Sequence, residues 1–364
     1  MDGTSRFRPL AGLSDRLKLS ARDQNIEPQT LRGRYFRQRF FARLSQLYPD
    51  QWVLTGATAL ELRANSPRST SDLDTITTLA LNDLGDAISA LGDDPEDPFT
   101  YQVKIPKRMQ ATTGVQAKVT VMLGGKPVES FRMDIEHSRA SGTPPEEMDL
   151  HPVVTTNTAA DSSARILVQS AADHIAAKVA GMSKLTTTTD KSGQPSVVNA
   201  HRYHDLADLA ILSEVASVSL SDLQHSLAFQ ADKHGVEAIP ETLALPGEDW
   251  TPASWEQARQ ARSWPAELTL DLSLNMASRM VNPALTYYHQ DTTPPALSWS
   301  PAQRSWTLSN PDSPARLPTG LFPHSMASQL AHRQNHLSTP APGQDPDPTN
   351  TRQFTTPDAD GPDL

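Results

Sequence analysis

The chain has no cysteine, which removes disulfides, thiolate zinc sites and cysteine nucleophiles together. Long apolar runs are also missing, since nothing approaches the ~18 residues that a membrane span requires. The opening MDGTSRFRPL contains no apolar core of the secretory kind. A cytoplasmic protein with no membrane association is therefore the expectation. Positive charge is scarce too: the 364 residues sum to a formal charge of -10, so the whole molecule has no generic attraction for nucleic acid or anionic lipid. The deficit is uneven. Residues 1–48 hold ten Arg or Lys against four Asp or Glu, a local +6 that leaves -16 for the rest. A basic arm on an acidic body can engage RNA or an acidic partner through one face, although a solvated basic helix accounts equally for the charge.

The length suffices for one large domain or two modest ones with a real core. Patterning divides the chain into a basic helical region (1–48), a core domain (49–160), a helical domain (161–293) and a tail (294–364). Helices are expected at 10–24 and 30–47; in the second, Tyr35, Phe36, Phe40, Leu44 and Leu47 form an apolar stripe flanked by Arg34, Arg37, Arg39 and Arg43. Trp52 to Thr55 reads as a strand, Gly56 as a turn and Thr58 to Arg63 as a short helix, followed by the strand-like SDLDTITT. After a helix near 82–91, GVQAKVTVML and VESFRMDIEH form a hairpin around Gly-Gly-Lys. From Arg165 the pattern turns helical, with the polar stretch 185–199 read as a flexible loop. Helices follow at Tyr203–Glu214, at Ser221–His234 with Ser221 as cap, and near 252–262 and 266–280. Residues 301–364 carry eleven of the thirty prolines and few apolar runs, the composition of a mostly disordered tail.

One stretch raises a chemical question: TGATALELRANSPRSTSDLD, Thr55 to Asp74. Asp72 and Asp74 alternate on a strand and so project from one side of it. Like charges held together repel, and a cation relieves that repulsion. Asp134, on the polar face of VESFRMDIEH, supplies a third candidate oxygen ligand. Three carboxylates suit Mg2+, with Mn2+ as the alternative ion, because such ions prefer oxygen and bind through carboxylates plus substrate phosphates. A pair of ions stabilises the entering and leaving oxygens of an in-line displacement, and Asp134 can also take the proton from an attacking hydroxyl. Gly56 lets phosphate approach the backbone, and the helix N-terminus around Thr58 offers free N–H groups. The bland alternatives are a surface cap at Ser71–Asp72 and a wet strand face at Asp134.

The ordered set resembles the nucleotidyltransferase superfamily, and within it the AbiEii/AbiGii toxin family of bacterial toxin–antitoxin systems. RYFRQRFFARLSQLYPDQWVLTGATALELR and TSDLD match the family's basic helix, strand, glycine turn, helix and hydroxyl-plus-DxD strand, with Thr70, Ser71, Asp72 and Asp74 in the signature. Asp134 in FRMDIE stands where the third carboxylate falls. HIAAKVAGM matches the later lysine helix at Lys178, and RYHDLADLAIL matches the Arg-x-x-Asp-x-x-Asp-Leu segment at Arg202, Asp205 and Asp208. The likeness spans roughly residues 15–240. It implies an α+β fold, with a mixed-sheet nucleotidyltransferase-like domain followed by a mostly helical one. It also implies a nucleoside triphosphate donor, catalytic Asp72, Asp74, Asp134, Lys178 and Asp205, and nucleotide contacts from Gly56, Thr58, Ser71, Lys178, Arg202 and Asp208. The implied reaction is transfer of a nucleoside monophosphate to the 3' end of tRNA, inhibiting growth under control of an antitoxin. Thr55-Gly56-Ala57 departs from the family's Lys-Gly-Gly turn and lacks its cation. From the residues alone, Lys178 reads equally as a snorkelling lysine, Arg202–Asp205–Asp208 as a helix-surface ion pair, and His204 as pointing away from the site. Two other functions stay open: the same chemistry on a protein or small-molecule hydroxyl, and a catalytically inactive binding protein.

Overall fold

The computed structural model describes residues 12–64, 70–80, 83–93, 97–105, 114–138, 141–154, 163–189, 195–199, 202–236, 238–262 and 264–309. Most of the expected proline-rich tail lies outside these residues. The described residues begin with two helices, α1 (Leu13–Asp23) and α2 (Pro28–Leu47). Proline at the first position suits α2, and the Glu27 side chain accepts the Thr30 N–H at 2.9 Å. Next come β1 (Trp52–Thr55), α3 (Gly56–Ala64), β2 (Asp72–Thr77) and α4 (Leu84–Ser89), which tightens into a 3-10 turn at Ala90–Asp93. Five further strands follow: β3 (Phe99–Lys104), β4 (Gly114–Leu123), β5 (Lys126–His137), β6 (Glu146–Leu150) and β7 (Ala164–Val168).

These seven strands form one mixed sheet in the order β3-β4-β5-β2-β1-β7-β6. The β2–β5 and β1–β7 pairs are parallel and the rest antiparallel. Period-2 alternation assigns its faces. Phe131, Met133 and Ile135 of β5 are buried while Arg132, Asp134 and Glu136 face the other way. The apolar face packs on α2, with Phe40 edge-on to Phe131 at 5.5 Å and Phe36 edge-on to Phe99 at 5.1 Å. Each such pair is worth about 0.5–1.5 kcal/mol beyond its burial.

The second half holds α5 (Ala171–Ser183), β8 (Leu185–Thr189), β9 (Pro195–Asn199), α6 (Tyr203–Val215), α7 (Leu220–His234), α8 (Pro252–Arg262), α9 (Leu270–Gln290), β10 (Leu297–Ser300) and β11 (Ser305–Leu308). The core packs α5, α6, α7 and α9 around Ile175, Leu209, Leu223 and Met280. Tethers join it to the sheet: the Asp173 carboxylate accepts the Gly142 and Thr143 N–H groups, and Lys233 pairs with Glu136 at 2.7 Å.

Several sequence expectations are corrected. Residues 165–168, expected to be helical, are the last part of β7, whose burial alternates with period 2, Arg165 lying exposed between buried Ala164 and Ile166. Within the stretch expected to be a loop, Leu185–Thr189 and Pro195–Asn199 pair as two antiparallel strands. The cap of α7 is Ser219, whose Oγ accepts the Asp222 N–H at 3.0 Å, not Ser221. Residues 297–308, assigned by composition to the tail, form a hairpin docked on the helices. There Trp299 is buried, its Nε1 donates to the Ser213 carbonyl at 2.8 Å, and Arg304 pairs with Glu214.

Among the described residues of the basic arm, the four arginines that flank the α2 stripe are buried. Arg34 and Arg37 lie 3.5 and 3.6 Å from Glu61, while Arg39 and Arg43 grip Asp97 at 3.0 and 2.6 Å, all of them buried. A buried guanidinium requires a carboxylate, and here the partners lie on distant segments. The surface cations left on α1 and α2, namely Arg16, Lys18, Arg22 and Arg32, are interspersed with Asp15, Asp23 and Glu27.

Candidate active site

Strand register brings the first group of candidate residues together. On antiparallel β1 and β2, Thr55 stands opposite Asp74; on parallel β2 and β5, Asp72 stands opposite Arg132 and Asp74 opposite Asp134. Leu73 and Thr75 point into the core, so both aspartates project from the other face. Gly56, at the start of α3, has φ +61°. A Cβ there would overlap the Asp74 carboxylate, with Asp74 Cγ only 2.6 Å away, so glycine is required for its backbone angle and for the space. Asp74 then accepts the Ala57 N–H in the first turn of α3. Burial, followed by the charge of Asp134, raises the Asp74 pKa, and Lys178 opposes that rise.

The remaining residues of this group have definite partners. Asp134 Oδ1 accepts from Gln116 Nε2 at 2.8 Å. Asp72 is held two-pronged by Arg132, Nε to Oδ1 at 2.9 Å and Nη2 to Oδ2 at 3.0 Å, and Ser71 Oγ donates to Oδ1 at 3.1 Å. Thr58 is buried and donates to the Asp72 carbonyl at 3.2 Å, while Thr70 Oγ1 accepts the Asp72 N–H at 3.3 Å. Both threonines thus fasten the strand backbone.

From the helical half comes Lys178, which is buried and does not snorkel. Its Nζ lies 3.0 Å from Asp205 Oδ1 and 2.7 Å from Asp208 Oδ2. Arg202 Nε bonds Asp205 Oδ2, and His204 Nε2 is 3.4 Å from Asp205 Oδ1. That corrects two expectations: the Asp205 segment is no surface pair, and His204 does not point away. Burial alone would raise the Asp205 pKa, but Lys178, His204 and Arg202 outweigh it and hold the carboxyl well below the usual range. Gly181, one turn beyond Lys178 on α5, makes room for this packing: a Cβ there would sit 3.0 Å from Arg202 and Asp205. The charge of Lys178 reaches Asp74 and lowers its pKa against the effect of burial.

The set can be tested against a divalent cation. Among the described residues no three acidic or imidazole side chains converge as a ready-made ion cage. Asp74 and Asp134 have the hard oxygen donors such an ion takes. Their repulsion, expressed in the raised pKa of Asp74, is what a cation would relieve. Asp72 can join them once Arg132 releases it. The donor chemistry therefore fits. Sequence reading did not single out Arg132, Gln116 or Gly181, although the period-2 spacing of Arg132 from Asp134 was a usable signal.

Comparison with known proteins bears on identity. No curated protein matches. Among solved structures, the chain is similar to the MenT4 nucleotidyltransferase toxin of Mycobacterium tuberculosis H37Rv, at 16% identity over 75% of this chain and 98% of that one, TM-score 0.44. It is also similar to JHP933 of Helicobacter pylori, at 15% identity over 73% and 97% of the two chains, TM-score 0.33. The profile of the nucleotidyl transferase AbiEii toxin family, of type IV toxin–antitoxin systems, matches residues 39–290. With more than half of its length matched and the helical half included, the chain belongs to the AbiEii nucleotidyl transferase toxin family.

Proposed function

We propose that the protein transfers a nucleoside monophosphate from a nucleoside triphosphate to an RNA hydroxyl, the 3' end of tRNA, in a Mg2+-dependent reaction. The toxin family implies a cognate antitoxin as partner, and we take the site of action to be the cytoplasm. One observation carries the reading: the Asp74–Asp134 pair beside the first turn of α3 lies within the electrostatic reach of Lys178, which Asp205 and Asp208 hold from the other half. The acceptor oxygen attacks the α-phosphorus, the bond to the β-phosphate oxygen breaks, and pyrophosphate leaves. Asp134 takes the acceptor's proton. Lys178, fixed by two aspartates, meets the charge growing on the leaving group, where a held cation is worth far more than a mobile one. Gly56 leaves room for the Asp74 carboxylate at the first turn of α3, and Ser71 and Arg202 are the further nucleotide contacts in this reading. Asp72, Asp74 and Asp134 are the residues that would hold Mg2+ or Mn2+, which when bound neutralises the reacting phosphates.

A second reading keeps the chemistry and replaces the acceptor with a protein or small-molecule hydroxyl. Burial of Arg34, Arg37, Arg39 and Arg43 favours it, because these four arginines of the arm that argued for RNA are engaged inside the fold. Incubating the protein with Mg2+, each labelled triphosphate and either total RNA or an RNA-free lysate decides between them. Label in the RNA, with affinity falling steeply as salt rises, supports the first; label only in the RNA-free arm supports the second. Metal-dependent triphosphate binding without transfer in either arm would leave an inactive binding protein, in line with Thr55 where the family has lysine.

A further inference from the structure

Two cations on the polar face of the sheet have no part in this scheme. Lys118 on β4 stands opposite Arg132 on β5, and Arg132 stands opposite Asp72 on β2. With Lys104 of β3, which stands opposite Lys118, they form a row beside the one that holds Gln116, Asp134 and Asp74, and Lys104, Lys118 and Arg132 are all exposed. Like charges directly opposite on paired strands repel, so this row calls for an anion. Asp72 is that anion here, gripped at 2.9 and 3.0 Å. The grip is open to solvent, with 58% of the Arg132 side chain and 28% of the Asp72 side chain accessible, and exposed pairs of this kind exchange partners easily. The guanidinium fork matches phosphate as well as carboxylate.

We infer that Arg132 and Lys118 are a phosphate-binding pair that Asp72 keeps closed until a divalent cation takes that carboxylate. The trigger rests on the assignment of Asp72 to the metal set proposed above; the phosphate pair itself does not. Once Asp72 turns away, two positive side chains stand at the edge of the carboxylate row with no anion between them. The exchange is reciprocal: phosphate on the pair frees Asp72 for the cation, as the cation frees the pair for phosphate. The phosphate belongs either to the triphosphate donor or to a polynucleotide backbone, which share this chemistry.

The test has a metal-free arm and a metal arm. In EDTA, Asp72→Asn should tighten binding of tripolyphosphate or of a short single-stranded RNA by roughly 1.5- to fivefold, the range expected for releasing an exposed ion pair. Adding Arg132→Gln or Lys118→Gln should cancel the gain. A gain with tripolyphosphate assigns the pair to the donor, and a gain with RNA assigns it to the acceptor. No gain with either probe overturns the inference. In the metal arm, Mn2+ binding is followed by electron paramagnetic resonance without nucleotide. Arg132→Gln should tighten it by a similar factor, and the exposed position makes folding a minor concern that circular dichroism checks. If Asp72→Asn weakens Mn2+ binding while Arg132→Gln leaves it unchanged, the exchange is overturned and the metal assignment stands. If Asp72→Asn leaves Mn2+ binding intact, Asp72 leaves the metal set and the trigger falls with it, while the EDTA titrations still decide whether the pair binds phosphate.

Discussion

Two buried charge clusters, one in each half of the molecule, look alike on paper and differ in what they leave open. In the first, Arg39 and Arg43 of α2 close on Asp97, which also accepts the Phe99 N–H at 2.8 Å. Aromatic rings cover the guanidinium groups, Phe99 lying 5.3 Å from Arg39 and Tyr101 5.8 Å from Arg43. In the second, Lys178 is held by Asp205 and Asp208, yet Arg202 at its edge is partly exposed and Asp74 lies in its field. Burial and ion pairing are common to both. Only the second cluster opens toward other unbalanced charges, so its electrostatics can act on a ligand, whereas the first can act only on stability.

The largest expected effect tests the closed cluster. Asp97→Asn removes a carboxylate that two buried guanidinium groups share and should lower unfolding free energy by about 3–5 kcal/mol in a denaturant titration. Triphosphate affinity of the folded fraction should not change; a parallel loss of affinity would end the contrast. Next comes Asp74→Asn, for which labelled-nucleotide transfer should fall by at least the equivalent of about 2.7–4 kcal/mol. Its melting temperature should hold or rise, because a buried, repelled charge is removed. Activity within a few-fold of wild type would withdraw Asp74 from the chemistry. Smaller is the coupling inside the open cluster. Lys178→Ala and Asp205→Ala should each weaken triphosphate binding, and the double variant should cost less than the sum by about 0.5–3 kcal/mol. Strict additivity would make Lys178 and Asp205 independent.

The smallest effect is one of pH. The folded pKa of Asp205 is depressed because Lys178, His204 and Arg202 outweigh burial. Its contribution to stability is therefore complete above the unfolded carboxylate pKa, about 4, and is lost as pH falls toward the folded value. The gap in melting temperature between wild type and Asp205→Asn should narrow as pH is lowered through about 4. Asp74 has the opposite sign. Burial and Asp134 raise its pKa, so its ionisation removes stability as pH rises from the unfolded toward the folded value.

What could be read from the sequence follows the range of the interactions. The Asp72–Asp74 pair and the polar face of β5 were legible because period-2 alternation is local, and Gly56 because a turn between strand and helix is local too. Lys178 and Asp205 could be joined only through family resemblance, being 27 residues apart with no shared period. The arginines of α2 misled, since a helical stripe says which residues flank it but not that Glu61 and Asp97 arrive to bury the flanks. Trp299 misled for a related reason: proline content marks where a chain stops forming regular core, and it is blind to one large ring that reaches back onto α6.

The packing of Gly56 against Asp74 also has a genetic consequence. Single-base changes in a glycine codon reach several amino acids, and every one of them adds a Cβ that strikes the Asp74 carboxylate. In cells forced to express a growth-inhibiting toxin without its antitoxin, survivors should carry varied substitutions at codon 56. Codon 85 should be silent in the same plating, for Gly85 has open space where a side chain would begin.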